Sequence, residues 1–232
     1  DENGILDITR ADPNMEVVNY LLNVSRYWIG NLGIDGFRLD VPNEVPFWFW
    51  ERFRHVTDSL KQNNFLVGEI WGNAIPWLGE QGFHATMNYK YFRDPVLDFF
   101  GRRSIDAAAF DQALAPGRVV YPREAVLAMM NLIGSHDTVR FLTLADEDIR
   151  RLKLAAFFQM TYVGIPQIYY GDEVALRGGK DPDNRRPFPW GWKKDKERRN
   201  VRSFYKKMAS IRGKHAALRV GSYKTVYAQD SQ

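Results

Sequence analysis

Four short apolar runs in this chain each end in polar or charged residues. Ile34-Asp35-Gly36-Phe37-Arg38-Leu39-Asp40 closes on Arg38 and Asp40, and Phe65-Leu66-Val67-Gly68-Glu69-Ile70 carries Glu69 near its end. Asn131-Leu132-Ile133-Gly134 runs into Ser135-His136-Asp137, and Ile165-Pro166-Gln167-Ile168-Tyr169-Tyr170 runs into Gly171-Asp172-Glu173. A weaker run, Ala85-Thr86-Met87-Asn88-Tyr89, falls between the second and third. Apolar residues at helical spacing fill the intervals, over about 14–32, 44–62, 91–115, 122–130, 147–162 and 198–213. Asp12-Pro13 reads as the start of the first helix and Gly33 as its stop, from the preference for a capping residue before Pro and for Gly after the last turn.

Strands alternating with helices predict an α/β fold with a parallel sheet, and continuous apolar runs predict strands covered on both faces. An open doubly wound sheet and an eight-stranded (β/α) barrel both satisfy that pattern. Charge at the C-terminal end of each strong strand favours the barrel, which gathers its strand ends onto the face that holds the active site. No GxGxxG or Walker-type loop follows any of these strands, which weakens the nucleotide-binding version of the open sheet.

Composition excludes several functions. The formal net charge of +4 owes much to Lys193-Lys194-Asp195-Lys196-Glu197-Arg198-Arg199. That run mixes both signs and reads as a solvated helix start, so no nucleic acid is expected as a partner. The chain has no cysteine; disulfides and Cys-based metal sites are ruled out, and a reducing, cytoplasmic compartment fits. No apolar run approaches the roughly 20 residues that span a bilayer, so no membrane partner is expected.

Asp40, Glu69 and Asp137 put carboxylates on three strand ends. Glycoside hydrolysis needs two carboxyl groups in different protonation states, one ionised to attack the anomeric carbon and one protonated to donate to the leaving oxygen. Arg38 shares a strand face with Asp40, because residues i and i+2 point the same way, and its charge favours an ionised Asp40. Glu69 follows the apolar run Phe65 to Gly68, where loss of water raises a carboxyl pKa. Each group also has an ordinary reading, as a helix cap or a structural ion pair.

Gly36-Phe37-Arg38-Leu39-Asp40, Gly68-Glu69-Ile70-Trp71 and Ser135-His136-Asp137 resemble three signature regions of the α-amylase family of glycoside hydrolases, in order and spacing. The resemblance implies a nucleophile at Asp40, a general acid/base at Glu69, a transition-state-stabilising carboxylate at Asp137, and substrate contacts at Arg38 and His136. Val41-Pro42-Asn43-Glu44 is similar to a stretch of the neopullulanase, cyclomaltodextrinase and maltogenic amylase subgroup, with Pro42 in place of its usual alanine, and adds Asn43 and Glu44. Asp181-Pro182-Asp183-Asn184-Arg185-Arg186-Pro187 resembles that subgroup's loop after the last barrel strand, where Asp181 and Arg185 would hold a sugar at subsite −2. Trp71 matches an aromatic at subsite +1.

The resemblance implies a partial (β/α)8 TIM barrel, strands four to eight with their helices, over 1–217, and the start of a truncated C-terminal β domain over 218–232. Ile5-Leu6-Asp7-Ile8-Thr9 corresponds to a short family motif ahead of strand four. The family's aspartate and histidine near strand three are absent, so the chain reads as part of a larger enzyme and is expected to be inactive alone. The substrate implied is an α-glucan, cleaved at α-1,4 or α-1,6 bonds with retention. No cofactor or metal is implied within these residues; calcium is allowed in the full-length protein. The remaining N-terminal part of the barrel is the implied partner, and a homodimer is compatible. A non-catalytic amylase-like scaffold or transporter subunit is the alternative; such relatives tend to lose the three carboxylates kept here.

Overall fold

The computed structural model describes residues 12–229, so the expected motif at Ile5–Thr9 lies outside the described residues. The chain divides into two compact units, Asp1–Met87 and Asn88–Gln232.

In the first unit α1 (Met15–Arg26) is capped by Asn14, not by the expected Asp12: the Asn14 carboxamide accepts from the backbone of Glu16 at 3.0 Å and of Val17 at 3.3 Å. The helix widens into a π-turn at Tyr27–Asn31 and stops at Gly33, with φ +72°. Its apolar residues occupy more than one face. Val18, Leu22 and Ile29 are buried, whereas Val17, Leu21, Trp28 and Leu32 are exposed. Next come β1 (Gly36–Leu39), a 3-10 turn at Pro42–Glu44, α2 (Phe47–Leu60), β2 (Phe65–Gly68) and β3 (Ala85–Thr86). The strands pair in parallel, in the order β1-β2-β3.

β2 and β3 are buried as the sequence predicts, and β1 is not. Leu66 and Val67 are almost fully enclosed, while β1 is half-exposed. Two glycines let the strands close. A methyl group at Gly36 would stand 1.9 Å from the Phe65 carbonyl oxygen, and one at Gly68 would stand 2.8 Å from the Phe83 ring.

In the second unit a helical segment runs from a π-turn at Tyr89–Arg93 through α3 (Asp94–Val96) to a second π-turn at Leu97–Arg102. Then follow α4 (Ala107–Val119), α5 (Arg123–Ala128), β4 (Met130–Leu132), α6 (Phe141–Leu144), α7 (Ile149–Thr161), β5 (Ile165–Gln167), α8 (Lys196–Lys214) and α9 (Ala217–Val220). β4 and β5 form a parallel pair. The five strands are therefore parallel in every pairing, as expected, but they lie in two separate sheets. The core of this unit is aromatic: Phe99 stacks on Phe110 at 4.6 Å and Phe158 on Tyr162 at 5.0 Å. Asp195 caps α8 through the backbone of Glu197 and Arg198, so the mixed-charge run is a helix start.

Within 218–232, expected to begin a β domain, Tyr223–Tyr227 forms no strand. Tyr223 instead packs its ring against Tyr162 at 4.8 Å, under the guanidinium of Arg118 at 4.9 Å. An aromatic and cationic cluster supplies the partner that a strand would otherwise need.

The two close approaches in the first unit predict an order of damage. Gly68→Ala meets a side-chain ring that can shift, and is expected to cost about 1–3 kcal/mol. Gly36→Ala meets backbone and is expected to cost more. Denaturant unfolding of the two variants checks this, and equal losses would count against the packing account.

Candidate active site

β1 delivers Arg38 and Asp40 at its C-terminal end, and β2 delivers Glu69 one residue past its own. The backbone of Glu69 donates to the Leu39 carbonyl at 2.9 Å, which sets the two strand ends level. Arg38 Nη1 donates to Asp40 Oδ1. Arg38 Nη2 stands 2.6 Å from Glu69 Oε1, an ion-pair contact without hydrogen-bond geometry. One guanidinium therefore serves both carboxyl groups, where the sequence suggested Asp40 alone. A hydrogen bond also joins the Asp40 and Glu69 side chains.

Their surroundings differ. The Asp40 side chain is 69% exposed and that of Glu69 only 6%. Burial pushes Glu69 above the ordinary carboxylate range. Arg38 opposes that shift and Asp40 adds to it, through the shared hydrogen bond and through its charge, while the Val41 backbone N–H pulls it down. Desolvation outweighs the nearby cation, the bias a proton donor needs. Val41 reaches Glu69 from an unusual conformation: its φ of 40° and ψ of 46° are left-handed, which a β-branched residue rarely adopts.

The other sequence-predicted groups of this unit lie on the flanking turns. Asn43 donates to Glu44 at 3.1 Å on the Pro42–Glu44 turn, and Trp50 anchors that turn by donating to the Pro42 carbonyl at 2.8 Å. Trp71 is half-exposed just beyond Glu69.

In the second unit His136 and Asp137 follow β4, and Asp181 and Arg185 lie on the loop after β5. The structure brings these four together. His136 Nε2 is 3.1 Å from Asp137 Oδ2. Arg185 lies 2.6 Å from Asp181 Oδ1 through Nε and 3.3 Å from Asp137 Oδ1 through Nη2. The arginine expected at subsite −2 is thus also a ligand of the expected catalytic carboxylate. Beneath them are groups the sequence reading did not select: Arg140, fully enclosed, Asn184, also enclosed, and Asp172. Asp172 was noted only as a strand-end charge; burial, opposed by Arg140, pushes it up to about 7. Arg140 and Asn184 left no signal, because one sits in a helix approach and the other is a loop amide. Among the described residues no three His, Cys, Asp or Glu side chains converge as a metal site.

The raised pKa of Glu69 has a sign for stability. The folded chain holds this proton more tightly than the unfolded one. The contribution is therefore full below the ordinary carboxylate pKa and is lost as pH rises through the raised value. Glu69→Gln, neutral at every pH, is expected to melt above the wild type at about pH 7, with the gain shrinking toward about pH 4. Calorimetry at both pH values checks it, and a gain of equal size at both would contradict the burial account.

Known proteins share this arrangement of elements. A family model described as the alpha amylase catalytic domain matches residues 9–216. A cyclomaltodextrinase of Thermoanaerobacter pseudethanolicus (strain ATCC 33223 / 39E) is 47% identical over 215 residues, covering 93% of this chain and 37% of that protein. Neopullulanase 2 of Thermoactinomyces vulgaris is 44% identical over 215 residues, covering 93% of this chain and 36% of its own length. The solved structure of a cyclomaltodextrinase superposes with a TM-score of 0.86 at 44% identity, over 94% of this chain and 36% of that one. The chain spans well under half the length of these relatives. By the family match, the identity to these relatives and the shared fold, the chain belongs to the alpha-amylase catalytic-domain family, whose fold is a TIM barrel.

Proposed function

We propose that the intact protein is a retaining glycoside hydrolase of α-glucans. It cleaves α-1,4 bonds, with α-1,6 bonds as a second class, in cyclodextrins, pullulan, starch or malto-oligosaccharides, and transfers sugar as well as hydrolysing it. β1 to β5 correspond in order to strands four to eight of the family barrel. The observation that carries this reading is the contrast between two carboxyls paired with one arginine, Asp40 exposed and Glu69 buried with a raised pKa.

In the first step an Asp40 oxygen forms a bond to the anomeric carbon as the glycosidic bond breaks. Glu69 gives its proton to the departing oxygen. In the second step a water, or an acceptor sugar hydroxyl, loses its proton to Glu69 and attacks the same carbon, which releases Asp40. Asp137 stabilises the positive charge that builds on the sugar in both transition states. Arg38 and His136 hold hydroxyls of that sugar, Asp181 and Arg185 hold the next, Trp71 faces the acceptor, and Asn43 and Glu44 shape the acceptor side. A non-catalytic amylase-like subunit has no use for two carboxyls held in such different surroundings.

Reducing-sugar release from β-cyclodextrin, pullulan and starch by the full-length protein tests the reading, with product anomers followed by NMR. Inverted anomers would sink the nucleophile assignment. Glu69→Gln should lose most on substrates with poor leaving groups and recover part of the first step on an activated aryl glycoside. Equal losses on both would count against Glu69 as the acid.

Arg185 generates a separate expectation. Its contact with Asp137 means that Arg185→Ala should slow every substrate. Substrates that fill subsite −2 should lose a further ~1–3 kcal/mol, the scale of a charge-assisted hydrogen bond. Steady-state kinetics on oligosaccharides of increasing length separates the two parts, and a loss independent of length would remove Arg185 from subsite −2.

A further inference from the structure

We propose that Arg140, acting through Asn184, is a positioning residue that sets how Arg185 meets Asp137; the proposal rests on the roles just given to those two groups.

The Arg140 side chain is fully buried. Its Nε donates to the Asn184 carbonyl at 2.8 Å, and its Nη1 donates to the Tyr170 carbonyl at 2.5 Å and to Asp172 Oδ1 at 3.0 Å. The guanidinium carbon lies 3.9 Å from the centre of the Tyr169 ring and 4.8 Å from that of Tyr170. Its own backbone N–H donates to the Gly178 carbonyl at 3.1 Å. Arg140, through its side chain and its backbone N–H, thus holds the segment just after β5 and both sides of the loop that carries Asp181 and Arg185.

Asn184 completes the link. Its carboxamide nitrogen donates to the carbonyls of His136 at 2.7 Å and Thr138 at 2.9 Å, the residues on either side of Asp137. The His136 carbonyl also accepts from Arg185 Nε at 3.1 Å. Arg185 follows Asn184 directly, so the strand-end segment and the loop are fastened one residue away from the Arg185–Asp137 contact on both sides.

Stability alone gives a weak reason for this arrangement. A buried ion pair often contributes no more than well-packed apolar residues of similar volume, and Arg140 Nη2 and Asn184 Oδ1 are buried without hydrogen-bond partners. What a guanidinium supplies and an apolar side chain does not is a rigid, directional fork between three backbone segments.

A double-mutant cycle in the intact enzyme tests the proposal, with kcat/KM on maltotriose as the readout. Asn184→Ala alone is expected to lose about 10-fold to 100-fold, the range for displacing a reacting group without touching substrate. Combined with Arg185→Ala it should add no more than about twofold to the loss from Arg185→Ala, since its effect passes through Arg185. Independent losses that multiply in full would overturn the proposal. So would a fall in melting temperature with kcat/KM unchanged. If Asn184→Ala does not fold, Arg140→Lys takes its place in the cycle: it keeps a charge beside Asp172 but cannot reach all three acceptors, and the same outcomes apply. Failure of the wild type to cleave any α-glucan would count against the functional reading instead. Hydrogen exchange then decides the positioning without substrate. Faster exchange over 136–138 and 183–186 in Asn184→Ala, and not in Arg185→Ala, is the expected result; unchanged exchange overturns it.

Discussion

Glu69 is withdrawn from water at the end of β2, and the groups around it are arranged by that fact. Leu66 and Val67 bury almost completely, which stabilises the strand by about 1.5–3 kcal/mol for each side chain. That is enough to offset enclosing one neutral carboxyl, at about 1–3 kcal/mol. An ionised one would need more, and Arg38 supplies only part of it because it also serves Asp40. The result is a Glu69 carboxyl whose pKa is raised by burial, beside the exposed Asp40. Gly68, just before Glu69, has no side chain, and Phe83 packs close against it.

The second unit solves a different problem with similar means. There the proposed catalytic and sugar-binding groups sit on a strand-end segment and a loop, and neither kind of element is stiff by itself. A guanidinium stacked on two tyrosine rings, with an amide spanning to the opposite segment, provides the stiffness that regular secondary structure does not. Asp172, drawn into the same cluster, shares its charge with Arg140 and lies away from solvent.

The legible part of the molecule was the part encoded locally. An apolar run ending in charge is visible in a few consecutive residues, so Asp40, Glu69 and Asp137 could be found at strand ends and the parallel pairing anticipated. Arg185 and Asp181 were found from a loop motif, yet their contact with Asp137 was invisible, because it joins positions 48 apart in the chain. The same distance hid Asn184 and Arg140. The capping role of Asn14 over Asp12 was a choice between neighbours that only backbone geometry settles. Exposure on α1 and β1 was misjudged for a related reason: periodicity identifies an apolar face but not whether an element packs on it. Tyr223 looked like a strand residue because aromatics favour strands, and a ring cluster used it otherwise.

Val41 shows where this chain keeps its strain. A branched residue held in the left-handed region costs on the order of 1–3 kcal/mol, and here it sits between Asp40 and Pro42 with its N–H turned to Glu69. Any search for heat-resistant variants is drawn to such a position, because glycine or asparagine relieves the cost at once. The relief would come at a backbone donor that faces the buried carboxyl. Thermal robustness and acid strength are therefore negotiated at a single residue, and a lineage adapting to higher temperature has a physical reason to gain its stability elsewhere in the barrel.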